Sequence, residues 1–277
     1  MQVLREYVSF LLKEATKLPK EFYEPLQQII SASQFWTFPN NPEDPDYNSV
    51  AGEDVDQSEA AAQLGSAIMD FFRSVNYPII AAVRSPDVEY GENHKFLVGK
   101  KHRSYPNNIV VGGQMGLTSR GRRLLYLDLA IFDKDFKIED ISPNTLASNI
   151  ASVIRHEIIH SKQYDKRAKS QKTTRVKAKK AFEEDGSIVS DSKKRHQYLS
   201  SHIEVDAYAH EFAEQLLRDH GFNKAKDVIR SAKNSESLDL SDQLKEYLDG
   251  VSSKKAFKNL MGKIYSHLVD LTNRNIY

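Results

Sequence analysis

Apolar positions along this chain recur at two different periods, and the change between them divides the sequence. Leu4, Tyr7, Val8, Leu11 and Ala15 recur at helical spacing, and Pro19 closes that segment. Leu26, Ile29 and Ile30 mark a second short helix. Residues 34–57, QFWTFPNNPEDPDYNSVAGEDVDQ, are rich in Pro, Asn and Asp and read as a loop. Its Trp36 can line a cleft, although core packing is the commoner fate of a tryptophan. Ser58 can cap a helix that reaches about Val75. The period then falls to two. The runs IIAAV (79–83), KFLVG (95–99), NIVVGG (108–113) and RLLYLDLAIF (123–132) predict strands. The last puts Leu125, Leu127, Leu129 and Ile131 on one side, with Tyr126, Asp128 and Ala130 on the other. After about residue 142 the pattern is helical apart from connecting loops. It ends in a stripe of Phe257, Leu260, Met261, Ile264, Leu268 and Leu271 at core spacing. Strands first and helices afterwards predict an α+β fold rather than alternating βαβ units.

The best-marked helix, DISPNTLASNIASVIRHEIIHSKQY, opens with Ser142 as N-cap and Pro143 at its first position. Leu146, Ile150, Ile154 and Ile158 form its apolar stripe, and Val153, His156, Glu157, His160 and Tyr164 lie on an adjacent face. Side chains four apart on a helix project side by side, about 6 Å between β-carbons. Two imidazoles placed this way can both reach one zinc ion at about 2.0–2.1 Å. Glu157 stands beside such a metal without being forced to bind it, which suits a general base acting on a water at that metal. The same pentad also arises when two histidines simply pack on a helix. A third ligand must then come from elsewhere.

The candidate is the helix YLSSHIEVDAYAHEFAEQL, residues 198–216. Centring one face on Glu204 brings Tyr208 and Glu211 onto it, with the small Ala207 beside them to allow a close crossing. His202 and Asp206 point nearly the opposite way. This helix therefore offers either Glu204 or the His202/Asp206 side to a metal, and not both.

Composition narrows the chemistry. The chain has 277 residues, 40% of them hydrophobic, enough for a sizeable core in one or two domains. The net charge of +1 carries no global pull toward nucleic acid or membrane. Cysteine is absent, so disulfides and thiolate metal sites are excluded, and a tightly held metal must use His, Asp or Glu. No apolar run approaches 18 residues, so no membrane contact is expected, and the N-terminus lacks a signal peptide's apolar core. A soluble, intracellularly made protein is the expectation. Residues 162–180, KQYDKRAKSQKTTRVKAKK, hold nine Lys or Arg and one Asp. They read as a solvated loop, against the alternatives of a lid or a contact for nucleic acid or another acidic partner.

A His-Glu-x-x-His helix followed by a helix reading Glu-x-Asp-Ala-Tyr-Ala resembles zincin-like metallopeptidases of the gluzincin type. That resemblance covers roughly residues 120–216. It implies a small twisted sheet, an active-site helix and a mainly helical C-terminal part. It also implies Zn2+ held by His156, His160 and Glu204, Glu157 as base, and a peptide or protein as substrate. Where the family has an Asp four residues after the third ligand, orienting a histidine, this chain has Tyr208. In the family, an edge strand before the metal helix pairs with the extended peptide, and RLLYLDLAIF is the candidate, against its reading as an interior strand. His196, Tyr198, His202 and Tyr208 all lie close enough in sequence to stabilise an oxyanion, and Tyr208 shares the face of Glu204. The N-terminal LREYVSFLLKEATK is similar to the capsid-targeting peptides of tailed bacteriophages, cut after a Leu-x-Glu type site. Its alternative is a plain docking helix.

These features together predict N-terminal helices and loop over 1–57, a catalytic domain over 58–216 and a helical extension over 217–277. The expected function is a zinc metallopeptidase acting in a bacterial host cytoplasm, or packaged in a phage head beside capsid components. Its rivals are an inactive virion protein of the same fold and a metallo-toxin acting on one host protein.

Overall fold

A computed structural model describes residues 17–32, 57–84, 109–131, 143–184, 201–231 and 254–277. The capsid-targeting-like segment, the loop carrying Trp36, the run 95–99 and residues 196 and 198 lie outside the described residues. The described chain is mixed α+β, mostly helical, with a 3-stranded sheet. No helix among the described residues is long and apolar enough to cross a membrane. The chain divides into two compact units, one of Glu21–Glu157 and one of Met1–Lys20 with Ile158–Tyr277, so the division falls inside a single helix.

In the Glu21–Glu157 unit, α1 (Glu24–Ala32) and α2 (Gln57–Ser74) precede β1 (Ile80–Arg84), β2 (Ile109–Leu117) and β3 (Arg123–Ile131). Helix α3 (Pro143–Ser170) begins at the proline whose fixed φ suits a first turn. The sheet order is β1-β3-β2, with β1 parallel and β2 antiparallel to β3. β3 is therefore the interior strand of the described sheet, so of its two readings the interior one holds and the peptide-pairing edge does not. Its neighbour β2 takes one side through a tight turn in which Thr118 N–H donates to Arg122 O at 2.9 Å. Gly121 closes that turn at φ 73°, a left-handed conformation that glycine adopts without steric cost. β1 takes the other side.

The alternation read from β3 holds over Leu124–Leu127, and the side chains of 128–131 lie outside the described ones. Leu125 and Leu127 are fully buried, and Leu125 sits opposite Met115 on β2 and Ala81 on β1, both buried. Each such leucine contributes roughly 1.5–3 kcal/mol by leaving water. Phe22, Phe71, Phe72 and Tyr77 form an aromatic cluster, with Phe22 edge-on to Phe72 at 5.2 Å between centroids. Arg155, 1% exposed, donates from Nη1 to the Phe22 carbonyl at 3.2 Å and lies over the Tyr23 ring. That buried bond fixes the helical turn immediately before His156.

In the other unit, α3 continues to Ser170 and is followed by α4 (Arg175–Glu184), α5 (His202–Ser231) and α6 (Lys254–Asn273). Residues 162–180, read as a loop, are two helices joined by a turn. Arg175 pairs with Asp165 across that turn, Thr173 N–H donates to Ala168 O at 2.9 Å, and Ala168 and Ala178 are buried. The high lysine content hid a helix-compatible spacing of small residues. Lys166, Lys169, Lys172, Lys177 and Lys180 are exposed.

α5 packs against α6. Leu260, Ile264, Leu268 and Leu271 of the expected stripe are buried, while Phe257 and Met261 are half-exposed. α6 also buries a polar stripe: Lys263, His267 and Asp270. Asp270 receives Lys17 at 2.7 Å and Arg274 at 3.4 Å. Gly221, at φ 69°, interrupts α5 and lets it change direction.

Candidate metal centre

Ser201 stands at the N-cap of α5: its carbonyl accepts from Val205 N–H at 2.9 Å and its Oγ from Glu204 N–H at 3.4 Å. The cap fixes where the helix starts and so places Glu204 in the first turn, where backbone N–H groups favour a carboxylate. On α3, His156 and His160 follow one another by one turn, as their spacing demands.

The structure brings three of the sequence candidates together. Ligand atoms of His156, His160 and Glu204 all lie within 4.8 Å of one another, and all three residues are buried. It is the only such group of His, Asp or Glu among the described residues. His160 Nε2 is 3.3 Å from Glu204 Oε1. Donors about 2.0–2.1 Å from a tetrahedral metal stand about 3.3–3.4 Å apart, so this spacing fits a shared cation. Two imidazoles and one carboxylate form a donor set that suits zinc, and no thiolate is needed.

Glu157 is buried too, at 6% exposure, and it lies against β2. A Cβ on Gly113 would stand 2.9 Å from Glu157 Cγ and 3.4 Å from its Oε1. The strand backbone therefore approaches the carboxylate to a distance that only glycine permits.

Asp206, the alternative third ligand, points elsewhere. Its Oδ1 accepts from Lys263 Nζ at 2.9 Å and lies 3.5 Å from His267 Nε2. Burial alone would raise its pKa. Its contact with His267 and the ammonium of Lys263 outweigh that and hold it well below the usual carboxylate range. His202 is exposed. The two sides of α5 thus divide as helical geometry requires, with Glu204 toward the histidines and Asp206 toward α6. Tyr208 is half-buried and stacks on Phe212 at 5.9 Å between centroids; it is not one of the three gathered residues.

Sequence reasoning missed Gly113, Gln163, Lys263 and His267. Gln163 stands three residues after His160, so its proximity follows from the helix period alone. His160 Nδ1 and Gln163 Oε1 are 3.0 Å apart. Gln163 Nε2 donates to Ile203 O at 3.1 Å and makes a longer 3.5 Å contact with Asp206 Oδ2. Lys263 and His267 lie outside the apolar stripe read from α6, and nothing in that helix says which acid they meet. No family model, curated protein or solved structure matches this chain.

Proposed function

We propose that the chain is a zinc-dependent metallopeptidase of zincin-like fold. The observation that carries this reading is the buried group of His156, His160 and Glu204, whose ligand atoms gather within 4.8 Å. A helix pair bearing two imidazoles and a carboxylate, with a further glutamate one residue after the first histidine, is the donor set such chemistry needs. Bound there by His156, His160 and Glu204, zinc would lower the pKa of a water and polarise the peptide carbonyl. Glu157 accepts the proton of the attacking water at its carboxylate. The hydroxyl oxygen bonds to the carbonyl carbon, the C–N bond breaks, and Glu157 returns the proton to the departing amine.

The substrate strand is reassigned to β2. β3 is paired on both sides, whereas β2 has one partner among the described residues and carries Gly113 against Glu157. An extended peptide pairing with the outer edge of β2 would take its main-chain hydrogen bonds there.

The test is metal analysis of protein purified without chelator, beside the His160→Ala variant and a peptide-hydrolysis assay. About one zinc per chain in the wild type, lost in the variant together with hydrolysis, is the expected result. Equal zinc in both sinks the metal assignment. Zinc without hydrolysis of any generic peptide favours a binding protein or a toxin with a single target.

A further inference from the structure

The zincin resemblance leaves one position unfilled. The residue expected to orient a histidine, four after the third ligand, is Tyr208 here, and it stacks on Phe212. A metal-bound histidine whose second nitrogen has no acceptor can rotate or adopt the wrong tautomer. Gln163 supplies the acceptor from a different place.

Which atom of the Gln163 amide faces which neighbour follows from its partners. Ile203 O is a carbonyl and Asp206 Oδ2 a carboxylate oxygen, so both can only accept. The amide NH2 must face them. Its oxygen is then the atom 3.0 Å from His160 Nδ1, and an oxygen can only accept there. Nδ1 therefore carries the hydrogen, and in the neutral ring Nε2 is left with its lone pair. That nitrogen is the one 3.3 Å from Glu204 Oε1. Two acceptor atoms so disposed are arranged as donors around a cation.

We infer that Gln163 is a positioning residue that locks His160 into the tautomer offering Nε2 to the metal, held in turn by the Ile203 carbonyl and by Asp206. Asp206 is itself anchored by Lys263, so the chain of contacts runs from the second histidine on α3, through the start of α5, to the middle of α6. The device ties the two ligand-bearing helices together through one amide. It also explains why an aspartate beside the third ligand is buried with a lysine rather than at the metal. The consequence for metal affinity rests on the metallopeptidase reading, while the hydrogen-bond assignment stands without it.

Gln163→Met keeps the length and bulk of the side chain and removes the acceptor. Gln163→Glu keeps the acceptor. Zinc affinity, read by competition with a coloured chelator, should fall about 10–100-fold in Gln163→Met. It should recover only part of that loss in Gln163→Glu, which restores the acceptor at His160 but sets a second oxygen against Ile203 O and Asp206 Oδ2. The nitrogen spectrum of labelled His160 reads the device directly. Wild-type protein should show Nδ1 protonated, with zinc bound and equally without it in buffer alkaline enough to keep the ring neutral. Wild-type affinity in Gln163→Met, or an Nε2-protonated His160 in the metal-free wild type, overturns the proposal. If the wild type binds no zinc, the metallopeptidase reading fails, and the metal-free tautomer still decides the role of Gln163.

Discussion

Gly113→Ala adds one methyl group where β2 meets α3, and its cost can be worked from distances. Gly113 does not have the left-handed φ seen at Gly121 and Gly221, so alanine suits its backbone. The strand even gains a few tenths of a kcal/mol from lower unfolded-state entropy. The cost is steric. The new Cβ would stand 2.5 Å from Val153 Cγ1 and 2.9 Å from Glu157 Cγ. Carbon atoms pack at about 3.5–4.0 Å, so Val153 must give by about 1 Å and Glu157 by somewhat more than half that. Overpacking of this kind costs about 1–3 kcal/mol. It should lower the urea midpoint with an unchanged slope. The displaced group is the proposed base, and a misplacement of about 1 Å can cost about 100-fold in rate, so turnover should fall about 10–100-fold with zinc retained. Val153→Ala removes the closer clash and leaves the one at Glu157. The double variant should therefore recover more stability than activity, a difference that a double-mutant cycle measures. An unchanged midpoint and unchanged turnover in Gly113→Ala would refute the packing of β2 on Glu157.

Three further outcomes are expected. Glu157→Gln should keep zinc and remain folded while losing hydrolysis at least about 100-fold, since an amide cannot take the proton; near-normal turnover in a steady-state assay rules out the assigned base. Glu204→Ala should lose zinc with the fold intact, whereas Asp206→Ala should lose about 3–5 kcal/mol of stability, because it strands the buried Lys263 ammonium, and lose less zinc. Metal titration and denaturant melts separate the two variants, and the reverse pattern would exchange the roles of the two acids. Asp206 also sets an acid limit: its carboxyl is depressed in the folded state, so its contribution is full above the unfolded pKa of about 4 and is lost as pH falls below that. The stability of Asp206→Ala should accordingly depend less on pH below about 4 than that of the wild type, and parallel curves in acid melts would contradict this.

Much of the site was legible because helices and strands carry their own rulers. The 3.6-residue period puts His156 and His160 on one face of α3 and separates Glu204 from Asp206 on α5, whatever the surroundings. The two-residue period puts Leu125 and Leu127 on one face of β3. The proline at its first position marks where α3 begins. Residues 162–180 misled because charge density reads as solvent exposure, while the helix there depends on two alanines, Ala168 and Ala178, finding cover.

Local pattern says which residues share a face but not what the face meets. The sequence could offer Glu204 or Asp206 to a metal; packing of α5 between its neighbours set Glu204 beside His160 and left Asp206 to Lys263. It could name a strand but not its rank in the sheet, because β3 became interior only when β1 paired with it in parallel from about 40 residues away, a contact no local rule anticipates. Gly113 read only as the end of a strand-like run, and only the approach of α3 made its missing Cβ the condition for seating Glu157. Backbone periodicity acts over a few residues, so it is written in order along the chain. Long-range burial depends on the whole set of surfaces competing for cover, and it is decided only when the chain has folded.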